Sequence, residues 1–345
     1  MSILTRIIRS RIGLGLLLAV DLLIWAGPAG PYDYSHASFE AVMSLQEEVT
    51  SDWLARDGVV GTAIGVDGMG HAVLKVYIES PGAVTFPQYV VGVEIVPEVT
   101  GRFMALGELP ADAEAVDPTG SFQRPVPIGV STGHQQVTAG TLGARVTDGA
   151  QTFALSNNHV YANNNDARKG DQMLQPGVVD GGQAPSDIIG TLYDFEPIKF
   201  CSGFTCPMNK MDAAIALTST EDLGNSTPEG GYGTPRTYSQ EARIGLPVQK
   251  YGRTTGYTKG RVSGINATID VGYRTGTARF EGQVIITGNG FSAGGDSGSL
   301  IVTEGLLLAD RRPVGLLFAG TPTSTVANPI DLVLDRFGIT IDGGN

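Results

Sequence analysis

Three side chains in this sequence are of the types that together make a hydroxyl attack a carbonyl. They are Ser297 in FSAGGDSGSLIV, His159 in FALSNNHVYA and Asp212 in NKMDAAIALT. A serine hydroxyl is a poor nucleophile at neutral pH; it needs a base within hydrogen-bond reach, and the base needs an acid to fix its tautomer. The chain holds four histidines, so the search for that base is short. His36 precedes a helical stretch, His71 opens a strand, and His134 sits in the turn STGHQQ; these read as surface or packing residues. His159 stands where an apolar, strand-like run ends in a polar step, which suits a side chain at a cleft. Asp212 stands at the mouth of an apolar strand, as a turn residue or as the acid that orients the imidazole.

The elements that must hold these residues fall into two parts. SFEAVMSLQEEVTSDWLARDG sets Phe39, Val42, Met43, Gln46, Val49 and Trp53 at helical spacing, with Ser38 as N-cap and Gly58 as stop. Three strand-like runs follow, VVGTAIGV, HAVLKVYIE and YVVGVEIVP, the first two joined by GVDGMG as a hairpin turn. Residues 38–103 thus read as a small α+β domain. The acidic, proline-bearing stretch over 104–127 has no sustained period and reads as a linker. From residue 128 to 345, short β runs alternate with turn signals, among them DAAIALTS, GQVIIT, GSLIVTE and RPVGLLFAG. Many short strands with few helices predict a barrel or sandwich. ANPIDLVLDRFG ends the pattern with one helix, Asn328 capping, Pro329 in the first turn, and Ile330, Val333, Leu334 and Phe337 on one face.

The order His159, Asp212, Ser297 is neither that of an α/β hydrolase nor that of a subtilisin-like enzyme. GGDSGS, LSNNHV and MDAAIAL instead resemble the three catalytic segments of the chymotrypsin-fold (trypsin-like) serine proteases, and RPVGLLFAG resembles the strand lining their specificity pocket. With the helix-plus-strands unit ahead of RPVPIGVSTGH, the chain more closely resembles a bacterial group related to the plant narrow-leaf proteases. The resemblance implies a mainly β, chymotrypsin-like double β-barrel with a C-terminal helix, joined to the small N-terminal α+β domain. It implies a serine endopeptidase: Ser297 attacks, His159 moves the proton, Asp212 holds the imidazole. The N–H groups of Gly295 and Ser297 form the oxyanion hole. No cofactor and no metal are implied. A pseudoprotease serving as a binding or assembly module is the alternative, and an esterase using the same three residues is a third reading.

Two departures from that family matter. Trypsins pair the acid before the nucleophile with a newly cut N-terminus; here the acid is Asp296, no activation site is visible, and either the site is preformed or Asp296 finds another partner. Six residues before the nucleophile, where trypsin-type enzymes carry an acid, stands Phe291. With Phe318, Ala319 and Gly320 as wall positions, this predicts a shallow apolar pocket and an apolar rather than basic preference at the cleaved residue.

Composition bounds the partners. The chain has 345 residues, a formal net charge of −12 and 48 glycines, and no basic patch recurs beyond the N-terminal arginines. Nucleic acid is therefore not an expected partner; a protein or peptide substrate is, and a second copy of the chain is admitted. Residues 1–30, with Arg6, Arg9 and Arg11 ahead of an apolar run broken by Asp21, read as a leader of the secretory type with cleavage after Ala26 or Ala29. An exported, periplasmic or extracellular, location is favoured over a cytoplasmic one, with membrane association only through an uncleaved leader. If exported, Cys201 and Cys206 are expected to close a short disulfide loop; in the cytosol they are two free thiols. NNNDARKGD reads as a solvated loop rather than a calcium loop, since the glycine and terminal glutamate of the known motif are misplaced or missing.

Overall fold

The computed structural model describes residues 37–105, 117–137, 139–203 and 205–344. The leader over 1–30, His36 and residues 106–116 of the linker lie outside the described residues. Helix α1 (Phe39–Leu54) comes first, capped by the Ser38 hydroxyl, which accepts the Ala41 N–H at 3.2 Å. Strands β1 (Val59–Val66), β2 (Ala72–Ile78), β3 (Tyr89–Val90), β4 (Val93–Val99) and the three-residue β5 (Phe103–Ala105) follow. Then come β6 (Ser131–His134), β7 (Gly140–Thr141), β8 (Ala144–Thr147), β9 (Thr152–Ser156), the single turn α2 (Asn158–Tyr161), β10 (Gln172–Leu174), β11 (Ile188–Phe195), β12 (Met208–Asn209) and β13 (Ala214–Thr218). The last part holds β14 (Pro247–Gly252), β15 (Gly256–Tyr273), β16 (Gly276–Thr287), β17 (Leu300–Thr303), β18 (Pro313–Gly320), β19 (Ser324–Pro329), α3 (Ile330–Phe337) and β20 (Thr340–Ile341).

These strands make a mainly β, chymotrypsin-like double β-barrel with a C-terminal helix. The first sheet runs β20-β8-β9-β13-β11-β10-β6-β7. The second closes on itself, because β15 pairs with both β14 and β16 while β16, β19, β18, β17 and β14 pair in turn. Closure gives every strand of that ring a partner on both sides over part of its length. One apolar cluster joins Phe153, Leu155 and Ala216 of the first sheet to Leu300, Val302 and Leu316 of the second, with Val333 of α3 packed against it.

The 18 residues of β15 exceed what the barrel needs, and the excess has a use. Its edge opposite β16 is taken first by β14 up to Arg261, then by β1 between Ile265 and Ile269, then by β5 at Val271 and Gly272. The sheet β1-β2-β4-β3 is therefore continuous with the second barrel, and α1 covers it through Val42, Leu45, Trp53 and Leu54.

Three local readings are corrected. Phe39 and Met43, placed on the buried face of α1, are 47% and 42% exposed. Gln46, read at helical spacing, does face inward and is joined there by Thr50: Gln46 Nε2 donates to the Asn266 carbonyl at 2.8 Å, and the Thr50 and Thr62 hydroxyls lie 2.9 Å apart. Met104 and Ala105, placed at the start of the linker, extend the strand begun by Phe103. Asn328 does not cap α3; β19 runs through it to Pro329, and its side chain turns to the first barrel.

Candidate active site

Register places the imidazole beside the carboxylate. β9 and β13 pair antiparallel with Ser156 opposite Ala214, so the residues just past the end of β9 and just before β13 emerge together. His159 sits on α2, directly after β9, and Asp212 sits two residues before β13. Asp212 Oδ2 lies 2.6 Å from His159 Nδ1, and Oδ1 accepts the His159 backbone N–H at 3.2 Å. A carboxylate accepts, so Nδ1 carries the proton and Nε2 presents a lone pair, as a general base requires. Nε2 is buried and, among the described residues, has no hydrogen-bond partner.

Asp212 is fully buried and held from every side. Its N–H donates to Asn328 Oδ1 at 3.0 Å, and its carbonyl accepts from Asn328 Nδ2 at 3.0 Å and Asn157 Nδ2 at 2.8 Å. Tyr273, the last residue of β15, donates its hydroxyl to Asp212 Oδ2 at 2.9 Å, and its ring meets the imidazole edge-on with centroids 5.9 Å apart. Burial, then the neighbouring Asp212 charge, push the Tyr273 phenol well above its ordinary range. It stays protonated and remains a donor.

The nucleophile loop is built around Asp296. The Asp296 N–H bonds back to the Ala293 carbonyl at 3.1 Å, and Gly295 takes φ +94° within that turn. A left-handed third position favours glycine; a Cβ there would also stand 2.4 Å from Thr254 Oγ1. The Asp296 carboxylate accepts the N–H groups of Ala293, Thr254 and Thr255 at 2.9, 2.9 and 3.1 Å and the Thr255 hydroxyl at 2.7 Å. Its cation is Lys250 of β14, Nζ to Oδ2 3.5 Å, with both side chains fully buried. Burial pulls the Lys250 amine below its ordinary value, and the Asp296 charge pushes back. Asp296 therefore has a partner within the barrel and needs no new N-terminus.

Ser297 follows that turn. Among the described residues, neither its N–H nor that of Gly295 donates to a main-chain carbonyl, so both amides remain available for an anion. The Ser297 hydroxyl is not bonded to His159; it donates to the Phe318 carbonyl at 3.1 Å. The two segments nonetheless flank one backbone: a Cβ on Gly140 would stand 2.5 Å from the Val160 side chain and 3.0 Å from the Ser297 carbonyl. The structure thus joins imidazole and carboxylate directly, sets the main chain of Ser297 and the side chain of Val160 on Gly140, and turns the Ser297 hydroxyl to Phe318.

The residues read as pocket walls do not form one cluster. Phe291 lies in the core of the closed barrel with Val248, Val262 and Leu317, its ring centroid 5.9 Å from Lys250 Nζ. Phe318 and Ala319 belong to another cluster with Phe103 and Phe280, and Phe318 packs on Phe280 at 4.8 Å. Gly320, the third wall position, ends β18 and is buried. Cys201 and Cys206 are joined in a disulfide. His71 and His134 pair with Asp67 and Asp171 instead of with the nucleophile. In NNNDARKGD, Asn165 is tied by its side chain to Asn158 and to the backbone of Ile198.

Tyr273, Asn328, Asn157 and Lys250 escape sequence reasoning. Only Lys250 leaves a trace, as a lone cation inside the barrel strand PVQKYG, where a buried charge must find an acid.

No family model matches the chain, and no curated protein matches it. Solved structures do. Thermobifida fusca Protease A matches at 22% identity over 64% of this chain and 99% of its own, with a TM-score of 0.45. Cellulomonas bogoriensis chymotrypsin matches at 18% over 64% and 99%, TM-score 0.42, and Nocardiopsis protease at 19% over 63% and 98%, TM-score 0.44. All three TM-scores fall below one half, so the fold rests on the sheet order and barrel closure described above.

Proposed function

We propose that this chain is a serine endopeptidase of the bacterial group related to the plant narrow-leaf proteases. The observation that carries the reading is the His159–Asp212 pair at 2.6 Å, whose free Nε2 is buried without a partner among the described residues. The reading is further supported by the Ser297 loop, which packs on Gly140 as does Val160, the neighbour of His159. In the reaction, the Ser297 hydroxyl leaves the Phe318 carbonyl for His159 Nε2, which takes its proton as Oγ attacks the scissile carbonyl. The oxyanion is held by the N–H groups of Gly295 and Ser297. The imidazolium then protonates the leaving amine, and a water attacking through the same base releases the acid and restores the serine. An incoming peptide N–H that takes the Phe318 carbonyl would free the hydroxyl for this turn.

The partner in this reading is a protein or peptide with an apolar residue before the cleaved bond, a preference that rests on the sequence resemblance alone, because Phe291 and Phe318 are buried in two separate clusters. Export to an oxidising compartment belongs to the same reading, supported by the disulfide between Cys201 and Cys206. N-terminal sequencing of purified protein tests it: a first residue at 27 or 30 is expected, and an intact leader after expression in an exporting host overturns it.

A second reading, the pseudoprotease, is favoured by one observation: the Ser297 hydroxyl rests on Phe318 rather than on the base. A fluorophosphonate probe separates the two. Labelling that disappears in Ser297→Ala, with kcat on a peptide falling by ~10⁶, is the enzyme's outcome. Well-folded protein that takes no label is the scaffold's.

A further inference from the structure

On the protease reading, the edge of β18 at Ala319 and Gly320, facing the tip of β15, is the slot where a substrate's extended backbone pairs; we propose that the chain plugs that slot with its own strand β5. A peptide then enters by displacing Phe103–Ala105. The consequence for turnover rests on the protease reading; the occupancy does not.

The pairing pattern carries this. One edge of β18 is covered by β19 all the way to Gly320. The other is covered by β17 to Leu316 and by the main chain of Gly298 and Ser299 at Leu317, beyond which the chain turns away to form the Ser297 loop. The released stretch would present unpaired backbone groups, a template for any added strand. β5 takes it, running antiparallel with Ala105 opposite Ala319 and Met104 opposite Gly320. Its other edge lies parallel on β15, Phe103 opposite Val271 and Met104 opposite Gly272.

Direction matters as much as place. As residue numbers rise, β5 moves from Gly320 to Ala319, toward Phe318, whose carbonyl holds the Ser297 hydroxyl. The chain's own strand thus runs along β18 toward the residue that holds the Ser297 hydroxyl. Recognition in the slot is also legible. Phe103 is fully buried, edge-on to Tyr77 at 5.5 Å. Met104 rides over Gly272, where a Cβ would meet its sulfur at 2.8 Å, and is otherwise 46% exposed. The slot therefore fits an apolar ring, then a long residue lying over glycine, then a small one. A strand of three residues with one buried anchor is of the kind that opens locally before the rest of the fold.

The experiment uses the full chain carrying Ser297→Ala, so that no peptide is consumed. A fluorescently tagged peptide of sequence Arg-Phe-Met-Ala-Leu is titrated by anisotropy into this protein and into the same protein with Met104→Pro and Ala105→Pro, which cannot pair as a central strand. If β5 occupies the slot, the proline protein binds about 10-fold or more tightly, since competition from the tethered strand is removed. Equal affinity within about twofold overturns the proposal. Because the prolines risk the fold, hydrogen exchange on the Ser297→Ala chain alone gives a second readout. Faster exchange at Phe103–Ala105 under excess peptide supports displacement, and bound peptide with unchanged protection there overturns it. Fluorophosphonate labelling of the chain with Ser297 intact is scored separately. A gain in peptide binding without labelling keeps the slot and removes the protease; labelling without a gain does the reverse.

Discussion

At the scale of single residues, Asp212 is held by more hydrogen bonds than Ser297. Asp212 receives the imidazole, a backbone amide and a phenol, and its peptide group is clamped by two asparagines. Tyr273 touches the acid and the imidazole but not the Ser297 hydroxyl, so it acts by positioning. Tyr273→Phe keeps the ring and removes one hydrogen bond to a charged acceptor, worth about 1.5–3 kcal/mol. Steady-state kinetics should show kcat lowered roughly 10-fold with KM nearly unchanged. A change confined to KM would mean that the phenol serves the substrate instead. The catalytic types and their order were readable from the sequence. Tyr273 was not, because nothing in DVGYRTG says that the tip of a hairpin in the second barrel reaches an acid in the first.

At the scale of elements, the nucleophile loop is fastened to β14 by an ion pair taken wholly out of water. Lys250 and Asp296 are both fully buried, and removing one member of such a pair leaves an unpaired buried charge. Lys250→Met is expected to lower stability by about 3–5 kcal/mol in urea unfolding, and labelling of Ser297 should fall with it as the loop loosens. A loss below about 1 kcal/mol would mean that the four donors from residues 254, 255 and 293 already satisfy the carboxylate alone. The strands themselves were legible, since β1, β2, β4, β13 and β18 all coincide with β-branched or apolar runs bounded by turn residues. The buried face of α1 was read only in part for a physical reason: Thr50 looks polar in sequence and becomes interior because the Gln46 carbonyl and the Thr62 hydroxyl offer it hydrogen bonds, whereas the apolar Phe39 and Met43 lie exposed.

At the scale of the whole molecule, the interior excludes water from phenols on β2, β15, α2 and the loop between β13 and β14. Burial pushes Tyr77, Tyr161, Tyr232 and Tyr273 above their ordinary value. In the unfolded chain these groups lose their protons near pH ~10, whereas the folded chain retains them. Above that pH the unfolded state binds fewer protons, so stability is full below pH ~10 and falls as the pH rises. In an alkaline titration the phenolate absorbance of these four should appear together with loss of the near-ultraviolet dichroism. Ionisation of all eleven tyrosines before any unfolding would contradict their burial.

What the sequence determined by itself is the inventory and its local order: a serine in a glycine-rich turn, a histidine at a strand end, an acid at a strand mouth, and short alternating runs that can only bury themselves as sheets. Those features depend on neighbours a few residues away, so composition and period expose them. The tertiary structure decided which distant groups meet: Lys250 with Asp296, Tyr273 and Asn328 with Asp212, and β5 with the edge of β18. It also decided that the Ser297 hydroxyl rests on Phe318. Those contacts follow from strand register and barrel closure, and both are properties of the assembled sheet that no short stretch of the chain contains.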